Sequence, residues 1–205
     1  MDKRREESLE ITTSMIKELR DATSAGVLDC REALGECGGD FEKAVAYLRE
    51  KGMSEAAERS TREVSEGLIE AYVHTGSQVG VLLELNCETD FVARTDDFKA
   101  LAHDLALHIA FAAPLCIMRE ELPEDLVEGE KKIYRQRALE EGKPEHVVER
   151  IVEGRMAKFY EQSCLLEQPF VRDEEKTIRD LLSAANATFG ENIILSRFVR
   201  YEVGK

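Results

Sequence analysis

The chain has 205 residues, 43% of them hydrophobic and 34% charged, which is enough apolar material for one good core or two modest ones and excludes a disordered or fibrous class. Asp and Glu number 42 against 28 Lys and Arg, a formal charge of −14, and a surface of that sign repels phosphate backbones, so direct nucleic-acid binding is not expected. The best apolar run, residues 110–118, is broken by Pro114 and residues 1–10 hold no apolar stretch; both fall far short of the roughly 20 residues that span a bilayer, so no export signal or membrane anchor is expected and the cytoplasm is the default.

In chain order, the first segment reads as three short amphipathic helices. Met15, Ile16, Leu19 and Ala22 form one apolar stripe, Cys30, Ala33, Leu34 and Cys37 a second, and Phe41, Ala44, Val45 and Leu48 a third, each with helical spacing. Thr12 or Thr13 is placed to cap the first helix, Gly38-Gly39 to break the chain after the second, Asp40 to cap the third and Gly52 to stop it. Three stripes close one small core, so residues 1–53 are expected to form a three-helix module. Residues 54–66, rich in Ser, Thr and charge, are expected to be a linker, helical in part.

A second domain is expected over 67–205, of α+β class. Ile69, Ala71 and Val73 alternate with their neighbours, Gly76-Ser77-Gln78 offers a turn, and Val79, Val81, Leu83 and Leu85 alternate again, which predicts an antiparallel hairpin. Phe98, Leu101, Ala102, Leu105, Ile109 and Ala112 form the face of a long helix opened by Thr95 with Asp96-Asp97 and closed by Pro114. Residues 123–141 and 144–166 read as a helical hairpin joined at Gly142-Lys143, and 173–189 as a last helix ending at Gly190. Residues 193–203 then supply a third strand, joining both ends of the domain in one sheet. Tyr72, Leu82 and Phe198 are expected on the sheet face turned away from the helices, an apolar patch that would pair with another copy or another domain.

Glu88-Thr89-Asp90-Phe91 lies at the corner between the second strand and the long helix. Two readings stand side by side. The segment is a recognition tip projecting one aromatic anchor and one carboxylate, or it is a helix start in which Thr89 caps, Asp90 answers the dipole and Phe91 packs inward. His103 and His108, five apart, lack the spacing of a helical metal pair and read as solvated or core side chains. The five Cys, with no CxxC, read as small core residues, and no motif brings any of them together with His74 or His146 as a catalytic set. No GxGxxG or phosphate-binding loop occurs, so no nucleotide, metal or other cofactor is expected on this chain.

Two segments resemble the signatures of the elongation factor Ts family: Leu19-Arg20-Asp21-Ala22-Thr23-Ser24-Ala25-Gly26-Val27-Leu28-Asp29-Cys30-Arg31-Glu32-Ala33-Leu34, and Glu84-Leu85-Asn86-Cys87-Glu88-Thr89-Asp90-Phe91-Val92-Ala93-Arg94. Leu165-Leu166-Glu167-Gln168-Pro169-Phe170 and the closing segment from Gly190 to Gly204 are similar to the family as well. The chain departs from the first signature at Ser24, where glycine is usual, and at Val27-Leu28, where a hydrophobic pair is often methionine. It also looks like a short form, with one sheet subdomain where longer members carry two and without their extended coiled coil.

The resemblance implies a ubiquitin-associated-like (UBA-like) three-helix domain, a linker and an α+β core. It implies a cytoplasmic translation elongation factor that acts as a guanine-nucleotide exchange factor on elongation factor Tu by binding, with no covalent chemistry. Thr89, Asp90, Phe91 and Val92 would be the tip that enters the GTPase domain beside its magnesium and switch region. Arg20, Val27 and Leu28 would be the partner-facing residues of the first domain, the last two pressing on a helix of the same GTPase domain. In short members a homodimer restores the second subdomain. The competing reading is a UBA-type adaptor or dimerisation module without exchange activity, which has no need of the Asp90-Phe91 tip; a thiol or hydrolytic enzyme is a third.

Overall fold

The computed structural model describes residues 11–23, 25–59 and 61–205, with the backbone alone for 53–59. The charged segment 1–10, Ser24 of the first signature and the side chains of the expected linker over 54–60 lie outside the described residues. The chain divides into two compact units, Met1–Glu63 with Ala184–Asn192, and Val64–Ser183 with Ile193–Lys205.

In the first unit the three stripes become α1 (Thr13–Thr23), α2 (Val27–Glu36) and α3 (Phe41–Arg59). The first turn of a helix has amide groups with no partner above them. Thr12 supplies one for α1, its hydroxyl accepting from Met15 N–H at 3.3 Å, and Asp40 does the same for α3 through Lys43 N–H at 3.1 Å. The stripes meet in a core of Leu19, Cys30, Ala33, Leu34, Ala44 and Leu48, with Met15, Ile16, Phe41 and Val45 packed against it. Gly52 does not end α3, which runs on to Arg59. An interior glycine costs a helix only about 1 kcal/mol relative to alanine, and no left-handed turn follows to break it, so the first half of the expected linker is helical.

From Val64 on, the chain runs β1 (Glu66–Val73), β2 (Val79–Cys87), α4 (Asp90–Ala93), α5 (Asp96–Ala112), α6 (Glu124–Glu140), α7 (Glu145–Ser163), β3 (Pro169–Phe170), β4 (Asp173–Thr177), α8 (Ile178–Phe189), whose residues from Ala184 on count with the first unit, and β5 (Ile194–Glu202). The fold is α+β, as expected. β1, β2 and β5 form one antiparallel sheet with β2 in the middle. Val81, Leu83, Leu85 and Cys87 of β2 are buried on one face, under Phe98, Ala102, Leu105 and Ile109 of α5, while Leu82 between them is exposed. Gly67 sits opposite Asn86 at φ 149, where a Cβ would lie 2.3 Å from the Leu85 carbonyl oxygen, so only glycine lets β1 approach β2 this closely.

The register corrects the expected composition of the open face. Tyr72 pairs with Val81, and Phe198 with Leu83. Cross-strand partners share a face, so Tyr72 and Phe198 lie on the helix side with the buried residues of β2. The face turned away carries Leu82 with Ile69, Val73, Val199 and Tyr201, all exposed. An exposed apolar patch exists with Leu82 in it as expected, but Ile69, Val73, Val199 and Tyr201 stand in place of Tyr72 and Phe198.

A second correction concerns α8, which starts at Ile178 and not at Asp173, because residues 173–177 pair with β3 as β4. Thr177 and Asp180 cap the helix reciprocally: Asp180 N–H donates to Thr177 Oγ1 at 3.1 Å, and Thr177 N–H to Asp180 Oδ2 at 2.9 Å. α6 and α7 form the expected hairpin about Gly142, at φ 74, with Ala138, Val148, Val152 and Met156 as its own core. α7 ends at Ser163, three residues short of the expected end, and a single 3-10 turn follows over Leu165–Glu167. Among the described residues no helix is long and apolar enough to cross a membrane.

Candidate partner-binding site

The corner after β2 is held from below. Cys87 is buried, and its thiol donates to the Thr89 carbonyl oxygen at 3.2 Å. Thr89, in extended conformation, caps α4 through a long contact from Val92 N–H to its hydroxyl at 3.5 Å. Thr95 joins α4 to α5: its hydroxyl donates to the Val92 carbonyl oxygen at 2.8 Å and accepts from Phe98 N–H at 3.2 Å. Ala93 and Phe98 anchor the corner in the core. A one-turn helix would not persist alone; here it is fastened at both ends and packed on β1 and β2.

On this base the Phe91 ring is 83% exposed. The structure therefore joins the two sequence readings: Thr89 caps and Asp90 opens the helix, but Phe91 points to solvent. Asp90 Oδ2 lies 2.8 Å from Arg94 Nη2 one turn on, and Val92 is half-buried beside them. Arg94 closes the second signature, and its spacing from Asp90, four apart, is the sequence signal for this pair. Beneath the corner, Asn86 Nδ2 donates to the Glu66 carbonyl oxygen and to Glu84 Oε1, both at 3.2 Å, and Ser196 Oγ donates to Asn86 Oδ1 at 2.6 Å. Arg197, and after it Asn86, holds the Glu84 carboxyl below its usual range. These bonds fix the strand from which the tip projects.

The first unit carries its own exposed apolar pair. Leu28 is 78% exposed in the first turn of α2, with Val27 beside it, and Arg20 is exposed on α1. Gly26 precedes that turn; a Cβ there would stand 2.8 Å from Asp29 Oδ2. Asp29 and Glu32 grip Lys51 of α3 at 3.0 and 2.7 Å, and Glu32 first, then Asp29, raises the lysine's pKa. The turn bearing Val27 and Leu28 is thus tied down on its polar side and open on its apolar one.

His103 is a surface residue and His108 a core one, each within the expected solvated-or-core reading. His103 Nδ1 is 3.0 Å from Glu70 Oε1 at the sheet edge. His108 is buried: Val171 N–H donates to its Nδ1 at 3.3 Å, which leaves Nε2 to donate to Gln168 Oε1 at 3.0 Å. Burial lowers its pKa from the ordinary histidine range, and Gln168 only partly opposes this. Between the depressed folded value and the unfolded value of about 6.5 the unfolded chain binds a proton that the folded chain does not, so stability must fall as pH drops through that window. Thermal melts should show a lower midpoint at pH 5.5 than at pH 7.5, and His108→Gln should lower the midpoint at pH 7.5 but flatten this slope; an unchanged slope would mean other groups set it. Among the described residues no three His, Cys, Asp or Glu cluster as a metal site.

These features define a class first: a two-unit α+β protein that offers apolar anchors from fastened helix starts, one on the three-helix module and one at a strand-to-helix corner. A family profile described as Elongation factor TS matches residues 9–205. Relatives named Elongation factor Ts include that of Fervidobacterium nodosum, 53% identical over 197 residues, covering 96% of this chain and all of the relative. That of Desulforamulus reducens is 53% identical over 96% of this chain and 90% of its own, and that of Moorella thermoacetica 52% over 95% and 96%. The chain belongs to the elongation factor Ts family, whose work is translation elongation.

Proposed function

We propose that this protein is a cytoplasmic guanine-nucleotide exchange factor that binds elongation factor Tu·GDP and promotes GDP release, by binding and without covalent chemistry. The observation that carries the reading is the Phe91 ring, exposed on a helix too short to need it and fastened too well to withdraw it. Thr89, Asp90, Phe91 and Val92 form the tip that displaces the magnesium and switch region of the GTPase domain. A ligand shifts an equilibrium only by what it gains in one state over the other. Burying a phenylalanine side chain is worth about 1.5–3 kcal/mol, and each 1.4 kcal/mol of coupling is about tenfold in nucleotide affinity. By reciprocity, nucleotide rebinding expels the factor, which frees it for another round. An adaptor that only docks has no use for such a ring at this corner.

Arg20, Val27 and Leu28 are the second contact with the same GTPase. Leu28→Asp should weaken binding to elongation factor Tu by about tenfold or more, since a carboxylate replaces a buried apolar contact, with little change in melting temperature because Leu28 makes no core. Calorimetric titration that returns the wild-type affinity would remove the first unit from the interface. The open sheet face is assigned to a second copy of this chain, supported by the exposed Ile69, Leu82, Val199 and Tyr201.

The test of function is stopped-flow release of a fluorescent GDP analogue from elongation factor Tu. Acceleration that rises with the concentration of this protein is the expected result; binding without acceleration would return the reading to an adaptor.

A further inference from the structure

Far along the chain from the tip, two thiols meet at the base of the α6–α7 hairpin. Cys116 follows α5 and Cys164 follows α7, and their backbones pair as a parallel bridge. Leu115 N–H donates to the Ser163 carbonyl oxygen at 2.8 Å and Leu165 N–H to that of Cys116 at 2.9 Å, so the two segments are stitched on both sides of the pair. Bridged strands lie about 4.8 Å apart, inside the Cα separation of about 4.4–6.8 Å that disulfides adopt. The Cys116 thiol donates to Cys164 Sγ at 3.6 Å. Closing from there to an S–S bond of about 2.05 Å moves each sulfur by about 0.8 Å, a distance that a side-chain rotation covers.

We propose that Cys116 and Cys164 are a disulfide-forming pair, a covalent clasp that hydrogen peroxide closes across the base of the helical hairpin. Each thiol gives up its hydrogen, one S–S bond forms, the peroxide O–O bond breaks, and two water molecules leave. A small dithiol reverses it by exchange. The two cysteines stand 48 positions apart, so the bond encloses the whole α6–α7 hairpin in a covalent loop.

The surroundings set how fast the clasp closes. Leu122, Val127, Phe159 and Tyr160 cover the pair, and burial pushes both thiols up, Cys116 to about 12. Glu121 and Glu167 add to the rise at Cys116; at Cys164 Glu167 and Glu120 raise and Arg119, ion-paired to Glu167 and stacked over the Tyr160 ring, lowers. The thiolate is the form that attacks peroxide, so its scarcity makes closure slow at neutral pH and faster as the pH rises, while the sulfur-to-sulfur approach favours the linked product once one thiol has reacted. Cys37, half-exposed in the first unit, serves as an internal reference for unpaired oxidation.

The test treats the full-length protein with hydrogen peroxide under native conditions, quenches it, blocks remaining thiols during denaturation and maps the peptides by mass spectrometry. The expected product is one peptide pair linking Cys116 to Cys164, with two hydrogens lost, abolished by dithiothreitol and absent in Cys164→Ser. Recovery of both cysteines as blocked thiols while Cys37 has taken up oxygen, or of each as a separate sulfinic or sulfonic acid, would overturn the proposal.

Discussion

Phe91→Ala is expected to lower the acceleration of GDP release by roughly ten- to hundredfold, the factor that about 1.5–3 kcal/mol of lost burial represents. The melting temperature should not move, because the ring is 83% exposed and its removal empties no space in the core; surface changes of this kind stay within about 0.5 kcal/mol. Stopped-flow traces over a range of factor concentrations, set beside a thermal melt of the same preparations, separate the possibilities. Lost exchange together with a melt several degrees lower would mean that Phe91 supports the corner. Full exchange in the variant would leave the function standing and discard the wedge. Asp90 and Arg94, locked to each other in the free protein, make the carboxylate a less decisive probe, since changing it also alters the short helix.

Leu82→Glu is the second large effect, and it concerns self-association. Leu82 lies on the middle strand between Ala71 and Val199, at the centre of the open face. A carboxylate buried there against a second copy would have no partner, a cost of several kcal/mol, so the dimer dissociation constant should rise by more than about a hundredfold. Sedimentation at micromolar concentration should show the wild type as a dimer and the variant as a folded monomer. A wild-type monomer under those conditions would assign the open face to some other partner.

Most elements could be read directly where periodicity was long and unambiguous. The three N-terminal stripes, the hairpin of alternating residues after Gly67, α5 with its Thr95 cap, and the α6–α7 hairpin all carry local signals several residues deep. β4 was missed because Asp-Glu-Glu-Lys-Thr has no alternation and is a strand only by pairing with Pro169 and Phe170; the Thr177–Asp180 box was the local clue to where the next helix begins. Tyr72 and Phe198 were placed on the wrong face for a related reason: each strand reveals its own two faces, but which face of one matches which face of another is a matter of register. At the corner, a helix of four residues is too short for any period to declare where Phe91 points. The capping residues could be read from sequence; the direction of the ring required the tertiary fold.

The middle position of β2 has a consequence for how this protein is made. Its two neighbours arrive at very different times: β1 pairs with it across a five-residue turn, whereas the Glu84–Arg197 contact with β5 spans 113 positions. As the chain leaves the ribosome, the three-helix core can close early from local contacts, but the strand that carries the tip waits with one edge unpaired until nearly all of the second unit has been synthesised. An open edge bearing Val79, Val81, Leu82, Leu83 and Leu85 is a template for wrong pairings. The polar hairpin α6–α7, which lies between the two pairing events and packs largely on itself, gives the nascent chain a self-contained section to fold during that wait.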